Sequence, residues 1–278
     1  MSIPLKILLS RELELREERT IATIHVSESG GPVRPLITGR EPHPTGRPVV
    51  VKAAFRALPW ESMTGELSLI ELAEVSTAVW RFMVQPHRLD MKVTGAKPVI
   101  SFFPDFEMSV DAGVIDALDQ GLPFWRAVMC TRQHTASSDC KTLIVEVKTD
   151  ADRRLRDAEY RHKLELAREL YGKLGWSFTT VVETPDLPTG AVAKAVHAIW
   201  TKKMTLVTST DVGVAAGHIE SRSGRSTYDE VAAALGPGPT GRAKLAALHV
   251  RRVVQIDLGR GLSGFSDVTM VDDGGAIL

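Results

Sequence analysis

The stretch Thr142-Leu143-Ile144-Val145-Glu146-Val147-Lys148 limits the possible folds most sharply. Its β-branched residues and two-residue alternation predict a strand, which sends successive side chains to opposite faces. Glu146 and Lys148 then share one face, and Val145 and Val147 the other. Ionised groups on so apolar a strand need a partner or a metal, because taking them out of water is costly. A second run, Val99-Ile100-Ser101-Phe102-Phe103-Pro104-Asp105-Phe106, predicts another strand, carrying Asp105. If the two strands lie side by side, Asp105 and Glu146 repel each other unless a cation stands between them. Carboxylates are hard oxygen ligands that suit Mg²⁺ or Mn²⁺, and Lys148 is then left to hold a phosphate or an attacking water. Such a set cuts phosphodiesters. Taken singly, the same residues have plainer roles: an Asp after Pro in a turn, a Glu-x-Lys at a solvated edge or in a cross-strand ion pair.

Composition sets the frame around that pair of strands. At 278 residues the chain is long enough for a substantial core and two domains, and 44% hydrophobic with 24% charged residues is the make-up of a soluble globular protein. Lys plus Arg and Asp plus Glu both number 34, so no global charge advertises a polyanionic partner. An acidic metal site and a basic binding patch can cancel in that sum. Cys130 and Cys140 are too few for a disulfide framework or a tetrahedral zinc site, which points to a reducing compartment. No apolar run reaches the length of a membrane span, and Arg11, Glu12 and Glu14 interrupt any signal-peptide pattern. A cytoplasmic protein with no membrane partner is expected.

Residues 1–49 read as an N-terminal extension, with Gly, Pro and Ser making 27–48 largely loop. Trp60 to Trp80 predicts a helix on which Leu69, Ile70, Ala73 and Trp80 cluster about the direction of Glu66. An acid within an apolar face is informative, although a helix-start acid favoured by the dipole is the plainer role. Glu61, Glu71 and Glu74 lie farther round and read as solvated. Strands follow over 79–89, turning at Gln85-Pro86, and over 87–93. Two amphipathic pieces, Val114–Leu118 and Phe124–Met129, sit in an insertion from Asp111 to Lys141 that ends in a loop with His134, a histidine more simply solvated than ligating.

After Lys148, a helix over 152–174 is expected to pack Tyr160, Leu164, Ala167, Tyr171 and Leu174 on the sheet, with arginines on its other sides. Gly175 ends it before a strand over 178–182, and strand, helix, strand implies a parallel pair. The Pro-rich break 184–188 marks a boundary, giving domains 50–184 and 185–278. In the second domain a helix over 191–203, a capped helix to Leu235, a turn at Pro237–Gly241, a helix over 242–253 and two strands round a Gly-rich loop follow the order of a winged helix. A modest basic excess there fits DNA binding and protein docking equally.

Pro104-Asp105 followed by Glu146-Val147-Lys148 resembles the PD-(D/E)XK site of restriction-endonuclease-like nucleases. The longer order is more specific: Glu61-Ser62 and Glu66 on a helix, Val79 and Phe82 before Gln85-Pro86, the Phe-Pro-Asp strand, Val-Glu-Val-Lys, then a charged helix ending in Gly. This order is similar to the TnsA family of transposon-end endonucleases over residues 50–184. The resemblance implies an α/β fold, a restriction-endonuclease-like mixed sheet flanked by helices, with a C-terminal winged-helix domain. It implies catalytic Glu66, Asp105, Glu146 and Lys148, and a Mg²⁺ (or Mn²⁺) ion on Glu66, Asp105, Glu146 and the Val147 carbonyl. It further implies cutting of the 5′ strand at double-stranded transposon ends, beside the DDE transposase TnsB and the AAA+ regulator TnsC. Glu61 lies one residue farther from Glu66 than the family pattern has it, so the two acids stand as alternatives for the helix ligand. A stand-alone restriction, repair or phage nuclease and a non-catalytic DNA-binding adaptor are the competing expectations.

Overall fold

A computed structural model describes residues 5–9, 14–15, 19–34, 44–92, 99–130 and 139–271. Down the chain the strands are β1 (Leu5–Leu9), β2 (Glu14–Leu15), β3 (Arg19–Thr20), β4 (Ala22–Ser27), β5 (Val49–Val50), β6 (Arg56–Ala57), β7 (Val79–Val84) and β8 (His87–Met91). After them come β9 (Ile100–Phe102), β10 (Phe106–Val110), β11 (Lys141–Lys148), β12 (Ser177–Val182), β13 (Ser226–Thr227), β14 (Val254–Ile256) and β15 (Asp267–Met270). The helices are α1 (Ser68–Val75), α2 (Ala112–Asp119), α3 (Phe124–Cys130), α4 (Ala158–Lys173), α5 (Glu183–Asp186), α6 (Gly190–Trp200), α7 (Ser209–Ser221), α8 (Tyr228–Leu235) and α9 (Gly238–Val250). The architecture is mixed α/β, and among the described residues no helix is long and apolar enough to cross a membrane. His134 lies outside the described residues.

Two four-stranded sheets, β1-β4-β8-β9 and β12-β11-β10-β7, share one bent hairpin. β8 pairs with β9 and β7 with β10, all antiparallel, and the register slips by one residue between the two ladders. Gln85-Pro86 on one arm and Phe103-Pro104-Asp105 on the other make the bend. Gln85 takes a positive φ of 47° there, and its N–H donates to the Asp105 carbonyl at 2.8 Å. The strand expected over 99–106 is therefore broken in two, and Asp105 occupies the bend rather than a strand. Proline supplies the physical reason: Pro104 has no N–H to offer a ladder. β4 lies beside β8, so the segment expected as a separate extension shares a sheet with the strands that follow it.

β11 and β12 are parallel, as strand-helix-strand requires. The alternation along β11 divides two cores. Leu143, Val145 and Val147 belong to the main core with α1, whereas Ile144 joins Phe102, Ala167 and Tyr171 under α4. Glu146 and Lys148 have the parity of Ile144 and so face the α4 layer.

Several helix bounds differ from expectation, each for a local reason. The helix drawn over 60–80 begins after Ser62, whose side chain accepts the Gly65 N–H, and runs as a π-helical turn over Met63–Leu67 before α1. It stops at Val75 because Ser76 turns extended and its hydroxyl donates to the Val128 carbonyl at 2.5 Å, and Trp80 falls on β7. The helix drawn from 152 opens as a separate 3₁₀ turn, Arg153–Arg156, before Asp157 caps α4.

Glu74 corrects another expectation. It is fully buried, with its carboxylate accepting the N–H groups of Val51 (2.6 Å) and Lys52 (3.3 Å). Lys52 is buried beside it and donates to the carbonyls of Ala73, in the last turn of α1, and of Ser76, just past its end. Burial lowers the Lys52 amine to about 7, against the pull of Glu74.

Beyond Asp186, α7 leads through β13, α8 and α9 to β14 and β15, with sheet order β13-β15-β14. α7 has no counterpart among the helices expected from sequence, although Thr208 and Asp211 form a reciprocal capping box at its start, as Thr227 and Glu230 do for α8. α9 begins at Gly238 instead of 242, with Pro239 in its first turn, and its second half is buried. That half packs on α1 and α6, so one core runs across the boundary drawn at 184/185.

Candidate active site

Lys148 and Glu146 make direct contact. Nζ donates to Glu146 Oε1 at 2.5 Å and to the Val147 carbonyl at 3.0 Å, and both side chains are nearly inaccessible to solvent. The ammonium thus engages two groups expected as metal ligands. A second donor converges on the same oxygen: Tyr160, in the first turn of α4, gives its hydroxyl to Oε1 at 2.5 Å. The other oxygen, Glu146 Oε2, is buried with no hydrogen-bond partner among the described residues. Tyr160 was expected to pack on the sheet; its ring does lie inward, but its polar tip reads the site. The signal was available, since the helix face that follows β11 begins with a residue carrying a hydroxyl.

Asp105 enters from the bend. Extending the β10–β11 register by one step, past Phe106 opposite Val145, sets it across from Glu146. Its Oδ2 accepts the Val147 N–H at 2.7 Å. Burial pushes its carboxyl well above the usual range, the charges of Glu146 and Glu66 push the same way, and Lys148 and the Val147 N–H oppose them.

Glu66 comes from the opposite side of the sheet. The π-helical turn packs so closely on β11 that a Cβ added to Gly65 would meet Val147 Cγ1 at 3.2 Å. Such turns are frequent at functional sites because they re-aim one side chain. Glu66 Oε2 accepts the Glu61 N–H at 2.5 Å. Burial raises the Glu66 carboxyl, with further pushes from Glu61 and Glu146. The charge of Glu66 reaches Asp105, and the main-chain N–H of Glu61 seats the Glu66 carboxylate.

The four residues converge on the C-terminal end of β11, but not equally. Glu146 and Lys148 touch; Asp105 is joined to them through Val147; Glu66 reaches them through its field alone. Among the described residues no three His, Cys, Asp or Glu side chains are drawn into a ready-made metal cage. The donor set nevertheless fits a hard divalent cation: a main-chain carbonyl and three carboxylates, two of them raised by burial and the third with a buried oxygen that has no donor among the described residues.

Basic groups border the site. Arg154 forks onto Asp152 at 2.7–3.1 Å and holds that carboxyl below its usual range, and Asp152 in turn lies 4.0 Å from Lys148 Nζ. Lys163, lowered by burial, sets its ammonium 5.7 Å from the Phe102 ring centre and feels Glu146. Set against known proteins, the chain matches no family model and no curated protein.

Proposed function

We propose that the chain is a Mg²⁺-dependent DNA endonuclease of the TnsA-like kind. In this reading it is the subunit of a Tns-type heteromeric transposase that cuts the 5′, non-transferred strand at transposon ends, beside TnsB and TnsC in the cytoplasm. The observation that carries the reading is the Asp105–Val147–Glu146–Lys148 arrangement: an acid from the bend before β10, an acid on the neighbouring β11, and an amine two residues on, round one buried oxygen that lacks a donor among the described residues.

Glu66, Asp105, Glu146 and the Val147 carbonyl would hold Mg²⁺, with Mn²⁺ able to substitute. The ion supplies a more acidic bound water and neutralises charge on the scissile phosphate. Lys148, held beside Glu146 Oε1, orients the nucleophile or offsets transition-state charge. The mixed sheet β12-β11-β10-β7 between α1 and α4 supports a restriction-endonuclease-like fold, and the order α7-β13-α8-α9-β14-β15 supports a winged helix. Because the second half of α9 is buried, that unit would meet DNA or protein through its remaining surfaces.

Labelled transposon-end DNA, incubated with Mg²⁺ and the purified chain with and without TnsB and TnsC, tests the reading. The expected result is 5′-strand cleavage that needs both the partners and Asp105. Efficient cutting by the chain alone identifies a stand-alone nuclease. No cutting in any mixture, together with no Asp105-dependent Mn²⁺ binding, identifies a non-catalytic adaptor.

A further inference from the structure

We propose that Tyr160 is a positioning residue for Glu146: with Lys148 it engages Oε1, so that Oε2 is the oxygen presented to a divalent cation. This rests on the metal-dependent reading above and deepens it. A carboxylate can turn about its last bond and offer either oxygen. Two donors on Oε1, at 2.5 Å each, remove that freedom. Leaving Oε2 buried and bare then carries a desolvation cost that no hydrogen bond from the described residues offsets, and a cation would offset it.

Tyr160 is itself held in place. The Lys148 ammonium lies 5.3 Å and the Arg154 guanidinium 5.5 Å from its ring centre. Arg154 is fixed by its fork onto Asp152, and Asp157 caps the helix by accepting the Glu159 N–H at 2.9 Å. The ring therefore links Lys148 to the start of α4, and the hydroxyl links that helix to Glu146. Tyr171, farther along the same helix, offers a contrast: its hydroxyl bonds His87 at 2.7 Å instead of Glu146.

Mn²⁺ titration of the whole chain, read by electron paramagnetic resonance beside thermal melting, tests the assignment. Partners that orient a ligating group are each worth about tenfold or more in metal affinity, so Tyr160→Phe should raise the Mn²⁺ Kd about tenfold with melting unchanged. Tyr171→Phe should lower the melting temperature and leave the Kd alone. If Tyr160→Phe also melts early, Tyr160→Gln against Tyr160→Leu decides, since both lack the ring and only glutamine carries a donor. Tighter Mn²⁺ binding by Tyr160→Gln supports the role. A Tyr160→Phe Kd equal to wild type, or equal Kd values for Gln and Leu, overturns it while the metal reading stands. A wild-type chain whose Mn²⁺ binding is absent or indifferent to Asp105→Ala overturns both.

Discussion

Asp105 and Val147 are joined by a 2.7 Å hydrogen bond from a main-chain N–H to a carboxylate oxygen. The bond spans from the bend of one hairpin to the strand beside it, and it seats an acid next to Glu146, whose charge it must oppose. The arrangement suits a cation better than it suits the acids themselves. Asp105→Ala should therefore abolish cutting and Mn²⁺ binding while far-ultraviolet circular dichroism stays native. Lys148→Met should slow cutting by about 10²–10³, the usual loss when one group stabilising transition-state charge is removed. Undiminished cleavage by purified Asp105→Ala protein would remove the site.

Stability should carry the same signature. Burial raises Asp105 and Glu66 above the ordinary carboxylate range, so the folded chain keeps protons that the unfolded chain releases earlier. Their contribution is full below about pH 4 and fades as pH rises through the raised values. In chelator, melting temperature should fall with rising pH on that account, Asp105→Asn should flatten the fall, and saturating Mg²⁺ should restore the loss at neutral pH. A slope identical in wild type and Asp105→Asn contradicts the assignment.

Strands β11 and β12 and the α4 layer between them were legible because their signals are local. The period-two alternation of Val145 to Lys148 fixed which groups share a face, and the Thr227–Glu230 cap marked a helix start. What escaped notice depends on contacts between distant segments. Glu74 has the spacing of a solvated acid, yet Val51 and Lys52 come from 22–23 residues away to bury and bind it. The bend at Asp105 needs Gln85 as partner, and the role of Tyr160 needs Glu146. Periodicity reports which face a residue occupies, not what stands opposite.

Gly65 predicts a defect transmitted through packing. An alanine Cβ would stand 3.2 Å from Val147 Cγ1 and 3.1 Å from the Ser62 hydroxyl that caps the turn. Either the π-helical turn lifts from β11 or Val147 shifts, and overpacking of this kind costs about 1–3 kcal/mol. Gly65→Ala should also weaken Mn²⁺ binding, because Glu66 follows directly and moves with the turn. Unchanged affinity with lowered stability would separate Glu66 from the metal.

Arg252 predicts how far the chain can be divided. Its side chain is almost fully buried, its guanidinium lies 3.5 Å from the Trp80 ring centre, it donates to the Thr77 carbonyl, and it stands 3.9 Å from Asp111, which also accepts the Trp80 indole N–H at 2.8 Å. A residue just past α9 thus completes the environment of β7 and of a buried acid in the N-terminal unit. Removing one partner of a buried charged pair costs about 3–5 kcal/mol, a large share of the 5–15 kcal/mol that stabilises a typical protein. Arg252→Ala should lower the denaturant midpoint of a single transition rather than split it in two. By the same reasoning a fragment ending at 184 would leave Asp111 buried without Arg252 and expose the faces of α1 that pack on α6 and α9. That fragment should be insoluble or molten, with lost near-ultraviolet dichroism and dye binding, whereas a well-folded, cleaving fragment would make the C-terminal unit a detachable module.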